Sequence, residues 1–200
     1  MLKTSGSVAE VLAMYNSTDS LAFDSSYRKV YANSTIDAYC NNTFYLGLSS
    51  AMKNAIVDKT FIQDSWVDSR SVPEGLHYTG KFGSTTYYLT LDNVTFGTSI
   101  TRHCYVLSIQ DVLDYLDAAT SMGISDTTLT DTNIWKMVWD RFTSPGSVFP
   151  WLRSAYPSGS SRAFVVDGGS GYITPQYVDN TNVVRPAFQI DLSKIEWTKQ

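Results

Sequence analysis

The chain has 200 residues, 43% hydrophobic and 17% charged, enough apolar content for one packed domain and too much for a disordered segment. A net charge of −4 without any Lys/Arg run argues against general nucleic-acid binding, since phosphate neutralisation needs basic clusters. No apolar stretch approaches the roughly 20 residues of a bilayer span, and Met1 to Gly6 lacks the basic-then-apolar layout of a secretory signal.

In the first thirty residues Val8, Leu12 and Tyr15 are spaced for one helical face, until the polar run 16–20 breaks the pattern. Ser34 is predicted to cap a helix, its hydroxyl meeting an otherwise unpaired N–H. Ile36, Tyr39, Cys40 and Phe44 follow at helical spacing. Ser49 or Ser50 opens a second short helix that turns Met52, Ala55 and Ile56 inward. From Phe61 to Gly83 the chain reads as irregular, punctuated by Pro73, Gly75, Gly80 and Gly83. Thr85 to Leu91 is a strand on β-branched and aromatic content, with Val94 to Phe96 a weaker candidate. His103 to Leu107 is a third strand, running into a capped helix. There Ser108 and Asp111 have capping-box spacing, with Asp in place of the usual Glu. Ile109, Val112, Leu113 and Leu116 make the inward face of that helix.

Asp126 to Thr132 is a polar loop, and Ile134, Trp135, Val138, Trp139 and Phe142 form an apolar helix or turn. The remainder reads as short strands around tight turns: Ala163–Val166, a Gly-rich turn at Gly168–Gly171, Tyr172–Thr174 and Ala187–Ile190. The fold class is therefore α+β, with short helices in the N-terminal half and antiparallel strands with hairpins in the C-terminal half.

Catalytic players are scarce. The two histidines are His77, in a turn-rich loop, and His103, read as a polar residue at a strand edge. His103 and Cys104 would point to opposite faces of a strand, so they would not share a metal ion. No nucleophile elbow, phosphate loop or dinucleotide fingerprint is present. No catalytic residue, metal or cofactor is assigned. Cys40 and Cys104 are read as buried thiols, and a disulfide between them is left open.

The most legible signature lies near the C-terminus. Trp151-Leu152-Arg153-Ser154 is followed by Ala163–Gly169 and then by Val184-Arg185-Pro186-Ala187. Arginines inside apolar runs must find partners, because an unpaired buried charge costs several kcal/mol. Trp151, Arg153, Arg185 and Pro186 are therefore read as structural. Between these blocks Tyr156, Ser158, Ser160, Ser161, Tyr172, Gln176, Tyr177, Asn180 and Asn182 form a polar, tyrosine-rich stretch. That composition suits a contact surface, with Tyr giving rigid area and Ser/Asn adaptable hydrogen bonds. It equally suits ordinary hairpin loops.

These blocks, with Tyr31–Asn41 and Cys104–Ser108, resemble a domain of unknown function of gut Firmicutes and their prophages. Phe188 and Cys40 stand where that family usually has Leu. The resemblance implies a C-type-lectin-like fold, akin to formylglycine-generating enzymes, over residues 31–200. Residues 1–30 would be an N-terminal extension or the first element of the domain. It further implies a non-catalytic host-attachment or receptor-binding module of a phage virion (tail fibre, baseplate or head fibre), made in the host cytoplasm and extracellular once assembled. Expected partners are a host-surface glycan or protein receptor and other virion subunits, with homo-oligomerisation open, and neither nucleic acid nor membrane. A structural virion protein is the alternative, and a bacterial surface protein or a hydrolase stands behind both. The calcium-binding motifs of animal lectins and the paired active-site cysteines of formylglycine-generating enzymes are missing, so the resemblance supports display rather than chemistry.

Overall fold

The computed structural model describes residues 3–13, 20–63, 65–68, 79–82, 85–90, 99–109, 111, 150–156, 161–166 and 173–195. It is a mixed α+β structure, mostly sheet; helices lie between residues 35 and 55, a helical turn starts at Ile109 and a short 3-10 helix spans Leu192–Lys194. Strand β15 (Ala187–Asp191) organises the first sheet. Along one edge it pairs antiparallel with β2 (Val8–Leu12), which in turn pairs with β1 (Lys3–Ser5). Along the other edge it takes β10 (Cys104–Tyr105) at its start and β4 (Ile56–Val57) at its end.

A second sheet runs in the order β13 (Ile173–Tyr177), β12 (Arg162–Val166), β11 (Trp151–Ala155), β6 (Ser65–Asp68), β8 (Thr85–Thr90), β7 (Thr79–Phe82). Its pairings are antiparallel except for the β11–β6 junction, which is parallel at Ala155↔Ser65. Two short ribbons complete the described strands: β3 (Ser20–Ala22) with β14 (Thr181–Val183), and β5 (Lys59–Phe61) with β9 (Ile100–Arg102).

The helical segment starts as predicted. Ser34 is extended, and its hydroxyl accepts the Asp37 N–H at 3.2 Å, capping α1 (Thr35–Ala38). Ile36 and Cys40 are fully buried, while Tyr39 and Phe44 pack against the core. The chain then winds as a π-helix over Tyr39–Phe44 before α2 (Tyr45–Gly47), the Tyr45 N–H bonding five residues back to Cys40. Apolar spacing did not reveal the wider turn, because residues four apart still share a face. Ser49 caps α3 (Ser50–Ala55) through the Met52 N–H at 3.2 Å.

Three expectations are corrected. Val8–Leu12 is a strand rather than a helical face: β15 has an open edge there, and five ladder pairs outweigh a weak helical spacing. The segment from Phe61 to Gly83, read as irregular, contributes to β5, β6 and β7, whose partners lie far away in sequence. Ile56 ends the helix and begins β4. Val94–Phe96, the helix face Val112/Leu113/Leu116, the segments 126–132 and 134–142 and the turn Gly168–Gly171 lie outside the described residues.

The core joins both sheets to the helices. Among the described residues Trp151, Tyr31, Tyr105, Phe23 and Phe164 are its largest buried side chains. Phe23 meets Trp151 edge-to-face at 5.5 Å and Tyr31 at 6.4 Å. The Trp151 indole N–H is satisfied by the Leu21 carbonyl at 2.8 Å, so the W-L-R-S strand is fastened to the N-terminal ribbon.

Candidate functional site

Every residue of β11 is buried, Arg153 included, so the charge has to be matched inside. Its Nη1 donates to the Val106 carbonyl at 2.8 Å and to Asp111 Oδ2 at 2.5 Å. Asp111 Oδ1 lies 2.8 Å from Lys59 Nζ, which also lies 2.8 Å from Glu10 Oε1. The Tyr105 hydroxyl donates to the same Glu10 oxygen at 2.5 Å. Cations and carboxylates alternate along this chain, so the set is neutral as a whole. The Arg153 guanidinium also lies 4.1 Å from the Phe61 ring centroid. Burial raises the Asp111 pKa, but Arg153 and Lys59 outweigh it and hold the carboxyl well below the usual range. Burial, reinforced by Glu10, pushes the Tyr105 hydroxyl far above the usual phenol range.

Asp111 also forms the reciprocal cap expected from its spacing. It accepts the Ser108 N–H at 3.0 Å, and its own N–H donates to Ser108 Oγ at 3.0 Å. Sequence reasoning missed Lys59 and Glu10, which carry no local signal. Arg185 is half-buried beside the first sheet, where its Nε donates to the Ala13 carbonyl at 3.0 Å. The Pro186 carbonyl accepts the Ala13 N–H at 2.8 Å, so this pair of residues ties the end of β2 to the start of β15.

Of the residues expected at a ligand surface, Ser158, Ser160 and Tyr172 lie outside the described residues. Tyr156, Ser161, Gln176, Tyr177 and Asn180 come together at one end of the β12–β13 pair. The Tyr156 N–H donates to Arg162, the Val178 N–H to Ser161 and the Asn180 N–H to Tyr177, each at 3.0 Å. Asn180 Nδ2 donates to Gln176 Oε1 at 2.9 Å. Tyr177 is half exposed, and Arg162, opposite it in register, donates to its hydroxyl at 2.6 Å with the guanidinium 4.2 Å from the ring centroid. Gln176 and Tyr177 thus sit on a strand, not in a flexible loop. Tyr156 is turned partly inward, edge-to-face on Phe164 at 5.8 Å. Asn182 belongs elsewhere: it lies on β14 opposite Leu21, with its Nδ2 buried.

A turn from the N-terminal half joins this tyrosine face. The Asp24 N–H donates to the Val178 carbonyl, next to Tyr177, at 3.2 Å. Buried Asp24 then accepts the Ser26 N–H at 2.7 Å and pairs with Arg28 at 2.9 Å. This clamp holds Tyr27 at φ 60 and 62% exposed. Left-handed backbone is unfavourable for an aromatic residue, so the display of Tyr27 is imposed by its surroundings. The Lys29 ammonium reaches the Tyr156 carbonyl at 2.9 Å, tying the same turn to β11.

On the helical segment lies a second concavity that the sequence did not suggest. A cleft of about 450 Å³ is lined by residues that include Asp37, Asn41, Asn42, Asp58, Arg102 and His103. Buried Asp37 takes the Arg102 Nε–H at 2.8 Å and an Nη2–H at 2.8 Å. It also accepts the Asn33 N–H at 2.8 Å and Asn41 Nδ2 at 3.1 Å. His103 is not a strand-edge residue: the chain bends there between β9 and β10. Its ring stacks on Tyr45 at 4.2 Å, and its Nδ1 pairs with Asp58. Among the described residues no group of three or more His, Cys, Asp or Glu side chains is placed to hold a metal ion.

The family model described as "Domain of unknown function (DUF6273)" matches residues 11–192. The chain belongs to this family. That span takes in the charge network from Lys59 to Arg153, the tyrosine face and the cleft. No curated protein and no solved structure matches the chain.

Proposed function

We propose that this member of the family is a non-catalytic binding module, whose tyrosine face engages a receptor while the buried charge network keeps the scaffold rigid. The observation that carries this reading is Tyr177, a half-exposed ring fixed on a strand by Arg162 rather than left to move. Binding favours such pre-organisation, because a side chain already held in place loses little entropy on contact. Tyrosine and arginine are also the residue types that most often dominate binding energy. Tyr27 adds a second exposed ring on a clamped turn, and Gln176 and Asn180 add amides that can adapt to a polar partner.

The resemblance to the C-type-lectin-like domains of gut bacteria and their phages supplies the setting. In this reading the module sits on a virion and attaches it to a glycan or protein on the host surface, with other virion subunits as its neighbours. The test is binding of the purified chain to a panel of gut Firmicutes cells, compared with a Tyr27→Ala/Tyr177→Ala variant. Loss of about tenfold or more in apparent affinity is expected from removing two aromatic contacts. Equal binding by both proteins would remove the tyrosine face from the account, and no binding to any host surface would remove the attachment role.

A further inference from the structure

We propose that the cleft between the π-helix and the β9–β10 bend is a second ligand site, separate from the tyrosine face, built for a neutral molecule carrying adjacent hydroxyl groups. The donors and acceptors lining it decide this. A guanidinium has five N–H bonds. In Arg102 the Nε–H and one Nη2–H go to Asp37, and one Nη1–H goes to the Thr101 carbonyl at 2.9 Å. Among the described residues nothing accepts the remaining hydrogen on each terminal nitrogen, and the side chain is 22% exposed. Two neighbouring donors on a plane are thus presented at fixed positions, because Asp37 grips the other edge.

Acceptors and further donors line the same cleft. Asp58 uses Oδ1 on His103 and, among the described residues, has no partner for Oδ2. The side-chain amides of Asn33 and Asn42 are likewise exposed without described partners. Asn42 lies in the π-helix, a wider winding often associated with functional positions. The neighbouring Asn41 is fully committed inward, to Asp37 and to both backbone groups of Cys104. The floor is therefore tied by hydrogen bonds and the rim is available.

Charge selects the ligand class. Arg102 is already neutralised by Asp37, and Asp58 faces the same space. A carboxylate or phosphate on the Arg102 donors would add a negative charge beside Asp37 and Asp58, and an ammonium group, having no acceptor, would leave those donors unused. A hydroxyl both accepts and donates, so a vicinal diol can accept from Arg102 and donate to Asp58 or an Asn carbonyl without a charge penalty. The cleft, at about 450 Å³, falls within the size range of small-molecule sites.

The experiment is a ¹H–¹⁵N NMR titration of the full chain with myo-inositol and cis-1,2-cyclohexanediol, against cyclohexanol and acetate. Saturable shifts at Asn33, Asn42, Thr101 and His103 are expected with the two polyols and not with the monool or the anion. Asp58→Ala and Asn42→Ala remove exposed groups, and each should weaken the myo-inositol response by about tenfold while leaving the remaining spectrum in place. His103→Phe keeps a ring to stack on Tyr45 and should weaken binding less than Asp58→Ala. Absence of saturable shifts with either polyol would overturn the proposal. So would a larger response to acetate, or full binding by both the Asp58 and the Asn42 variants.

Discussion

Two ion networks use the same residue types and serve opposite ends. In the core, Glu10, Lys59, Asp111 and Arg153 alternate in sign and pair with one another, no side chain of the four more than 17% exposed. On the helical segment, Asp37 and Arg102 also pair, but the guanidinium keeps one edge toward an open cleft, and the Asp58–His103 pair is about half exposed. The difference is burial. A charge sealed inside must be neutralised by its neighbours, whereas one at a rim can be oriented by its neighbours and still meet a ligand.

The largest expected effect breaks the core side of this comparison. Asp111→Ala strands Arg153 and Lys59 without their shared carboxylate, and urea unfolding should show a loss of about 3–5 kcal/mol. Arg153→Lys should cost about 1–3 kcal/mol, since a compact ammonium cannot keep both the Val106 and Asp111 contacts in the plane of a fork. Asp58→Ala, at the rim, should change stability by less than about 0.5 kcal/mol. A core loss no larger than the rim loss would remove the distinction.

Acidification sharpens the same contrast. The folded-state pKa of Asp111 lies below its unfolded value, so its stabilisation is complete above the unfolded carboxylate range, about pH 4, and is lost as pH falls toward the folded value. Stability should therefore decline from about pH 4 downward, and Asp111→Asn should flatten that decline. A profile of unchanged steepness would remove Asp111 as its source.

Smaller effects concern backbone and thiols. Tyr27→Gly relieves a left-handed φ that glycine adopts freely, so the melting temperature should stay level or rise slightly, by up to about 1 kcal/mol in stability. Burial pushes the Cys104 thiol up to about 12, and Cys40 is raised by burial and by Cys104. Native protein near pH 8 should thus react with a thiol reagent far more slowly than unfolded protein. Equal rates would mean that the cysteines are not enclosed as described.

Local chemistry made part of this legible in the sequence. The Ser34 and Ser49 caps, the Ser108–Asp111 box and the strand at β12 rest on residues close together in the chain, where spacing carries the information. β2, β5 and β6 were missed because their reason for being strands is a partner far away, as with Val8–Leu12 against Ala187–Asp191. The candidate surfaces divide in the same way. Tyr156, Gln176, Tyr177 and Asn180 are neighbours in sequence and share a composition, whereas the turn that carries Tyr27 joins them through the long-range Asp24–Val178 and Lys29–Tyr156 bonds. The cleft combines residues from 33 to 103, and its one chemical clue, His103, looked like a strand-edge residue until the bend placed it.

In the proposed function the charged core is frame and host attachment belongs to the tyrosine face. Its most direct test is a binding titration of Tyr27→Gly/Tyr177→Ala against the cell surface that captures the wild-type chain, at a temperature where both proteins are fully folded. An affinity loss of about tenfold or more is expected, with stability lowered by no more than about 1 kcal/mol from the lost Arg162 contact. Wild-type affinity in that variant would contradict it.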